Sequence, residues 1–179
     1  MKLFSESELA EVNNAVSLAE EMVCNYYKMS ANQWLRHRYD VKTRAELSAE
    51  EVVDGPYAQI VRYACQKEGS SLGSLTFDFY KICLQDPAVL ATVRQHPGVA
   101  LFPFLVYLIV HELIHIVRFA KFYQQFEARP EERRQEEATV HQITREVLGR
   151  HDIRGIQAVL SQCFGPGSDP AEISGEFSG

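Results

Sequence analysis

The chain has 179 residues, of which 46% are apolar and 23% are charged, and its formal net charge is −6 at pH 7. This length suits one domain with its own hydrophobic core and is short for two domains. Its Lys and Arg residues are scattered among acids. We therefore expect no nucleic-acid binding, because a nucleic-acid surface needs clustered positive charge.

The cysteines and the apolar segments predict where the protein resides. The chain has four widely spaced cysteines, Cys24, Cys65, Cys83 and Cys163. Their spacing excludes a zinc knuckle or a redox pair, and free thiols suit a reducing compartment. The first residues turn acidic at Glu6, so no signal peptide is expected. The apolar segment 101–110 is about half as long as a membrane span. These features predict a cytoplasmic protein that does not enter a membrane.

The first predicted element is a helix that ends near Met29. Ser5 or Ser7 caps it, and acidic side chains follow near its positive end. Its apolar residues recur every three or four positions, which is the helical period. The best strand candidate in the chain, Tyr39–Thr43, comes next and is short.

The rest of the chain is predicted to be helical. Further helices are expected over residues 48–66, 74–84, 86–95, 98–125, 130–148 and 153–163. The sequence therefore predicts a mainly α fold. Residues 1–164 are expected to form a single-domain helical bundle around a buried helix that carries residues 111–115, with at most a minor β element. Residues 165–179 are Gly, Ser and acid and are expected to form a flexible C-terminal tail.

Residues 111–115 read His-Glu-Leu-Ile-His and are the main functional signal. On a helix, His111 and His115 lie on one face, one turn apart, so both imidazoles can reach one metal ion. Glu112 lies on the flank of that face, where its carboxylate can take a proton from a metal-bound water without binding the metal. The neighbouring residues are uncharged, so the motif is expected to be buried.

The run over residues 109–116 resembles the extended motif of the zincin metallopeptidases. This resemblance implies that His111 and His115 bind one zinc ion and that Glu112 activates water. In the gluzincin branch, a Glu on a downstream helix is the third ligand, and a residue four positions later supports the site. Glu137 and His141 have that spacing on the next predicted helix, so the resemblance extends to residue 141.

The identity of the third ligand stays open at the level of sequence. A catalytic zinc usually has three protein ligands and one open position. Glu137 is the first candidate, and His141 is the second, with Glu137 then as its hydrogen-bond acceptor. Glu136, which lies closer to the apolar stripe of the helix, is the third. Arg118 is expected to pair with an acid of this helix, and Tyr107 and Tyr123 are candidates to donate a hydrogen bond to an oxyanion.

These residues predict a zinc-dependent hydrolase, by resemblance a metallopeptidase, acting on a peptide or a small molecule. Peptidases of this kind align an extended substrate along the edge of a sheet, for which only Tyr39–Thr43 is available among the predicted elements. One alternative is a di-iron carboxylate bundle, because Glu112 and His115 form a Glu-x-x-His unit. A second such unit is missing, since Glu137 and His141 are four residues apart. Another alternative is an interaction module with a structural zinc.

Overall fold

The computed structural model describes residues 2–34, 39–66, 76–121 and 126–165. The described part is mainly α-helical and contains one small sheet. Its helices and strands are, in chain order, α1 (Glu6–Tyr27), α2 (Ala31–Trp34), β1 (Tyr39–Lys42), β2 (Ala58–Gln66), β3 (Thr76–Leu84), α3 (Asp86–Gln95), α4 (Leu101–Ala120), α5 (Pro130–Gly149) and α6 (Ile156–Gln162). Two 3-10 turns, Arg44–Glu46 and Ala49–Glu51, lie between β1 and β2.

Helix α1 confirms the predicted cap and the predicted helical period. Ser5 is the N-cap, and its side chain forms a capping box with Glu8. The helix ends at Lys28, which adopts the left-handed conformation with φ 53°. The buried positions of α1 face α4 and are Val12, Ala15, Ala19, Met22 and Val23.

The three strands form a sheet in the order β1-β3-β2. Strand β3 is central: it pairs parallel with β1 and antiparallel with β2. Ile60 of β2 lies opposite Ile82 of β3, and both side chains are fully buried. This cross-strand pair fixes the register, because a slip by one residue would turn both side chains to the other face.

The sheet corrects part of the predicted fold. The predicted helices over 48–66 and 74–84 are wrong, since most of these residues lie in β2 and β3. The Ser48 capping box does form, but the turn that it opens ends at Glu51. A mainly α fold and the strand at Tyr39–Lys42 are confirmed. The β content is larger than a minor element, and the described part is therefore not a pure helical bundle.

Helix α3 occupies the predicted segment and holds the start of the chain. Asp86, its first residue, is buried. Its carboxylate accepts hydrogen bonds from the backbone N–H of Phe4 at 3.1 Å and from that of Arg44 at 2.9 Å. Asp86 thereby ties α3 both to the residue before α1 and to the segment after β1.

Helix α4 is the core of the protein and carries residues 111–115. It begins at Leu101, three residues later than predicted, and Pro103 lies in its first turn, where a missing N–H does no harm. Its described end is Ala120; the remainder of the predicted helix, residues 122–125, lies outside the described residues. Helices α1, α5 and α6 and strand β2 all contact α4, so apolar side chains on all its faces are buried.

By length and composition α4 is also the one helix of the described ranges that could cross a membrane. Its most apolar window is 83% buried inside the protein, which is typical of the core helix of a soluble protein. The cytoplasmic location and the absence of nucleic-acid binding stay predictions.

Helices α5 and α6 complete the described chain. Pro130 is the first residue of α5, as predicted, and Glu131 follows it in the acidic first turn. Helix α6 lies within the segment 153–163 where a helix was predicted, and it begins after Gly155, whose φ of 88° suits glycine. The predicted tail lies outside the described residues from position 166 onward.

Candidate metal centre

Helix α4 places the two histidines of the motif side by side in the interior. The Nε2 atoms of His111 and His115 are 3.2 Å apart, and their ring centroids are 4.9 Å apart. Both side chains have no exposed surface. One helical turn separates the two residues, which is why both rings can project to the same point.

Glu137 of α5 closes the group. One of its carboxylate oxygens, Oε2, lies 3.1 Å from Nε2 of His111, and the other, Oε1, lies 3.0 Å from Nε2 of His115. Glu137 is 9% exposed. Its burial excludes the interpretation that the acidic residues of this helix are all solvated. His111, His115 and Glu137 therefore form a buried group that could hold a metal ion.

The two helices meet in an antiparallel arrangement. Tyr107, early in α4, contacts His141, which lies four residues after Glu137 on α5. Arg118, near the end of α4, contacts Glu136 at an earlier position of α5. Contacts that run in opposite directions along two helices require the helices to be antiparallel. This packing brings Glu137 over the His111–His115 pair.

The pKa values of two members of the group, His111 and Glu137, are both lowered. Burial lowers the pKa of His111, and the adjacent Glu137 carboxylate opposes that shift only in part. Burial raises the pKa of Glu137, but the charges and hydrogen bonds of His115 and His111 outweigh it and hold that pKa well below its usual range. An ionised Glu137 carboxylate and a neutral His111 imidazole are protonation states that suit metal binding.

Glu112 lies next to the group but is not part of it. Its side chain has no exposed surface, and it follows His111 directly along α4. Burial raises the pKa of the Cys83 thiol on β3 to about 12, and the charges of Glu51 and Glu112 add to that effect. Glu112 thus lies close enough to the central strand β3 for its charge to affect the pKa of Cys83.

His141, the other predicted ligand on α5, is held beside the group. Its Nδ1 is hydrogen-bonded to the hydroxyl of Tyr107, and its ring centroid is 5.2 Å from that of His111. Burial and the nearby His111 lower the pKa of His141 to about 4. Among the described residues, the donor group consists of His111, His115 and Glu137 and does not include His141.

Glu136 faces away from the group and pairs with Arg118. The Arg118 guanidinium donates to both carboxylate oxygens of Glu136. This confirms the expectation that Arg118 pairs with an acid of the next helix. The neighbouring position Glu137 then faces the histidines, because adjacent residues on a helix point about 100° apart.

Sequence reasoning missed Phe164, whose ring packs beside the metal group. The Phe164 ring stacks on Tyr107 with centroids 4.0 Å apart, and its carbonyl oxygen accepts a hydrogen bond from Arg145. It also lies 5.7 Å from the ring of His141. Phe164 follows the last helix in a Gly-rich segment, and nothing in that local sequence indicates a contact with Tyr107. Tyr123, the other tyrosine proposed as a hydrogen-bond donor, lies outside the described residues.

Comparisons with known proteins give no further assignment. No protein-family model matches the chain, and no curated protein and no solved structure matches it either. Functional conclusions therefore depend on the side chains of the group and on their surroundings.

Proposed function

We propose that this protein is a zinc-dependent hydrolase of the metallopeptidase type. One zinc ion is held by His111, His115 and Glu137, and Glu112 is the general base. The single observation that carries this proposal is the convergence of two imidazoles and a carboxylate beside a second, fully buried carboxylate. Two His and one Glu are a ligand set of catalytic zinc sites, which keep a fourth position open.

The spacing of the histidines supports a tetrahedral zinc ion. Zinc–nitrogen bonds of about 2.0–2.1 Å place two nitrogens of a tetrahedral site about 3.3 Å apart. The Nε2 atoms of His111 and His115 are 3.2 Å apart. Each oxygen of Glu137 is within 3.1 Å of one of these nitrogens, so the carboxylate needs little movement to become the third ligand.

The chemistry divides between the ion and the protein. A bound zinc ion would supply Lewis acidity, which polarises a carbonyl group and lowers the pKa of water. Glu112 would take the proton of the attacking water and return it to the leaving group. A buried carboxylate is suited to this exchange, because it has no bulk water to compete for the proton.

The sheet supports a peptide as the substrate. A peptidase of this type aligns an extended chain along the edge of a sheet, where main-chain groups pair. Strand β2 pairs with β3 on one side only, within the described residues, and it contacts α4. Strand β2 has nine residues, whereas β1, the strand expected from sequence, has four. Hydrolysis of a small molecule by the same group remains the closest alternative substrate class.

One observation favours a second candidate function, an interaction module with a structural metal. His111, Glu112 and His115 are all completely buried, as the ligands of a closed structural site are. A structural site has four protein ligands, so it predicts a further ligand, with His141 as the nearest candidate. A di-iron bundle predicts two irons per chain and a second Glu-x-x-His unit, which this sequence lacks.

Metal analysis and hydrolysis assays test the proposal together. Protein purified without added metal is analysed for its elements and assayed on a panel of peptides and small esters and amides. We expect one zinc per chain and hydrolysis that stops when a chelator removes the zinc. Two irons per chain contradict the proposal, and so does one zinc per chain without hydrolysis of any member of the panel.

A further inference from the structure

The hydrogen bond between Tyr107 and His141 has a direction that matters for chemistry. Tyr107 is completely buried, and within the described residues its hydroxyl is hydrogen-bonded to Nδ1 of His141. A phenol hydroxyl is protonated at neutral pH and is a good donor, whereas an unprotonated imidazole nitrogen is a good acceptor. The Tyr107 hydroxyl therefore donates to Nδ1. A neutral His141 then carries its proton on Nε2, because only one ring nitrogen is protonated.

His141 is also more exposed than the three residues of the metal group. It is partly buried, whereas His111 and His115 have no exposed surface and Glu137 is 9% exposed. His141 is therefore more accessible from solvent than the three residues that could hold the metal. Within the described residues, the Tyr107 hydroxyl is bonded to Nδ1 of His141, so Nε2 is the ring atom that can donate its proton to a substrate.

We propose that His141 is a catalytic residue that donates a hydrogen bond from Nε2 to the substrate carbonyl oxygen as negative charge develops on it. Tyr107 is the positioning residue, because its hydroxyl fixes the tautomer and the orientation of the ring. The proton stays on His141 throughout, so no bond to nitrogen breaks. This role rests on the proposed hydrolase function and replaces the expectation that His141 binds the metal or that Tyr107 itself contacts the oxyanion.

The two roles of His141 require opposite tautomers. As a metal ligand through Nε2, His141 would carry its proton on Nδ1 and the Tyr107 oxygen would have to accept it. As an oxyanion donor, it carries the proton on Nε2. The zinc-loaded protein, labelled with ¹⁵N in its histidines, distinguishes these states by NMR without any substrate. The His141 signals are assigned as those that the His141→Gln variant lacks.

We expect the NMR spectrum to show His141 neutral at pH 7 with the proton on Nε2, and we expect His141→Ala to keep one zinc per chain. A proton on Nδ1, or loss of zinc from His141→Ala, overturns the proposal and favours a four-ligand site. Neither result depends on activity, so a failure here is distinct from a failure of the hydrolase proposal.

Kinetics test the catalytic part. Loss of one oxyanion donor lowers kcat by about 10²–10³-fold, so His141→Ala should lose this much with little change in KM. His141→Gln, whose amide can donate, should recover part of the loss, and Tyr107→Phe should lose less than His141→Ala does. Tyr26→Phe is the control, because the Tyr26 hydroxyl donates to the surface residue Glu146 instead.

An active enzyme whose kcat is unchanged by His141→Ala overturns the catalytic role. A wild-type protein with no hydrolytic activity overturns the hydrolase proposal and this role with it, whichever tautomer NMR detects.

Discussion

The Nε2 atoms of His111 and His115 face each other across 3.2 Å in a part of the interior with no exposed surface. Two lone pairs pointing at one point repel each other unless a proton or a cation lies between them. The Glu137 carboxylate faces the same point from α5, so the three side chains together surround a place for positive charge. One metal ion at that point would satisfy all three side chains at once.

The neighbours Glu136 and Glu137 offer a matched pair for testing the ligand set. Loss of a residue that only supports a ligand typically lowers metal affinity by about 10–100-fold. Glu137→Gln replaces a ligand oxygen itself, so we expect a larger fall in zinc affinity. Glu136→Gln alters only the ion pair with Arg118 and should keep one zinc per chain. Competition with a chelating dye measures both affinities. Equal zinc affinity in the two variants would show that Glu137 is not a ligand.

Glu112→Gln separates catalysis from metal binding. Glu112 is adjacent to the donor group but outside it, so the variant should keep its zinc. Loss of a general base typically lowers the rate by about 10²–10⁴-fold, and we expect a loss of kcat in that range. The assay uses the best substrate of the panel, with Glu131→Gln, an exposed residue at the start of α5, as control. Unchanged hydrolysis by Glu112→Gln would remove the proposed role of this carboxylate.

Glu51 predicts how stability changes with acid. Burial raises the pKa of this carboxyl, but hydrogen bonds from Lys81, Tyr63 and the backbone of Ser48 outweigh it and lower the pKa to about 2 from the ordinary 4.5. The folded-state pKa is thus below the unfolded one. The contribution of Glu51 to stability is therefore complete above pH 4.5 and is lost as the pH falls from 4.5 to about 2.

Glu51→Gln tests this window. Urea unfolding from pH 6 to pH 2 should show the variant less stable at pH 6, with the difference from wild type shrinking below pH 4.5. Glu50→Gln is the control, since Glu50 is exposed and precedes Glu51 in the same turn. A stability difference that does not change with pH would contradict the lowered pKa of Glu51.

The cross-strand pair Ile60 and Ile82 tests the sheet. Both side chains are fully buried, so Ile60→Ala and Ile82→Ala should each lower the free energy of unfolding by about 2–5 kcal/mol. Because the two residues face each other, their effects should be coupled by about 0.5–3 kcal/mol in a double-mutant cycle. Leu9→Ala, on the exposed side of α1, should cost far less. If the effects of the two Ile substitutions on the free energy of unfolding were strictly additive, the contact between Ile60 and Ile82 would be contradicted.

Apart from the four-residue helix α2, the helices were predictable, and the long strands were not. The Ser5 cap and the three-and-four spacing are local signals, so α1 was predicted from its own residues. Strand β2 lacks a clear alternation, because Gln59, Ile60 and Val61 are all buried and one face of the sheet does not contrast with the other. Its stability comes from β3, which follows only after residues 67–75. Neither segment has a residue pattern that predicts the pairing of β2 with β3.

The spacing of residues along the chain predicted the site better than the position of apolar residues around helix α5 did. His111, Glu112 and His115 were predicted from five consecutive residues, and Glu137 from its distance along the chain. The position of the apolar stripe around α5 alone favoured Glu136, because it takes no account of the side chains on other helices. The choice between the two acids is made by Arg118 on α4, which attracts Glu136 to itself and leaves Glu137 to the histidines.

The contact between Phe164 and Tyr107 has a practical consequence for preparing the protein. Phe164 is nearly the last described residue, and its ring lies 4.0 Å from that of Tyr107 at the edge of the candidate zinc group. A segment fused directly after Gly165 would begin its path next to Tyr107 and His141, beside the candidate metal group. A polyhistidine tag placed there would add imidazoles that compete for the same ion. Zinc content should therefore be counted on protein from which such a tag has been removed.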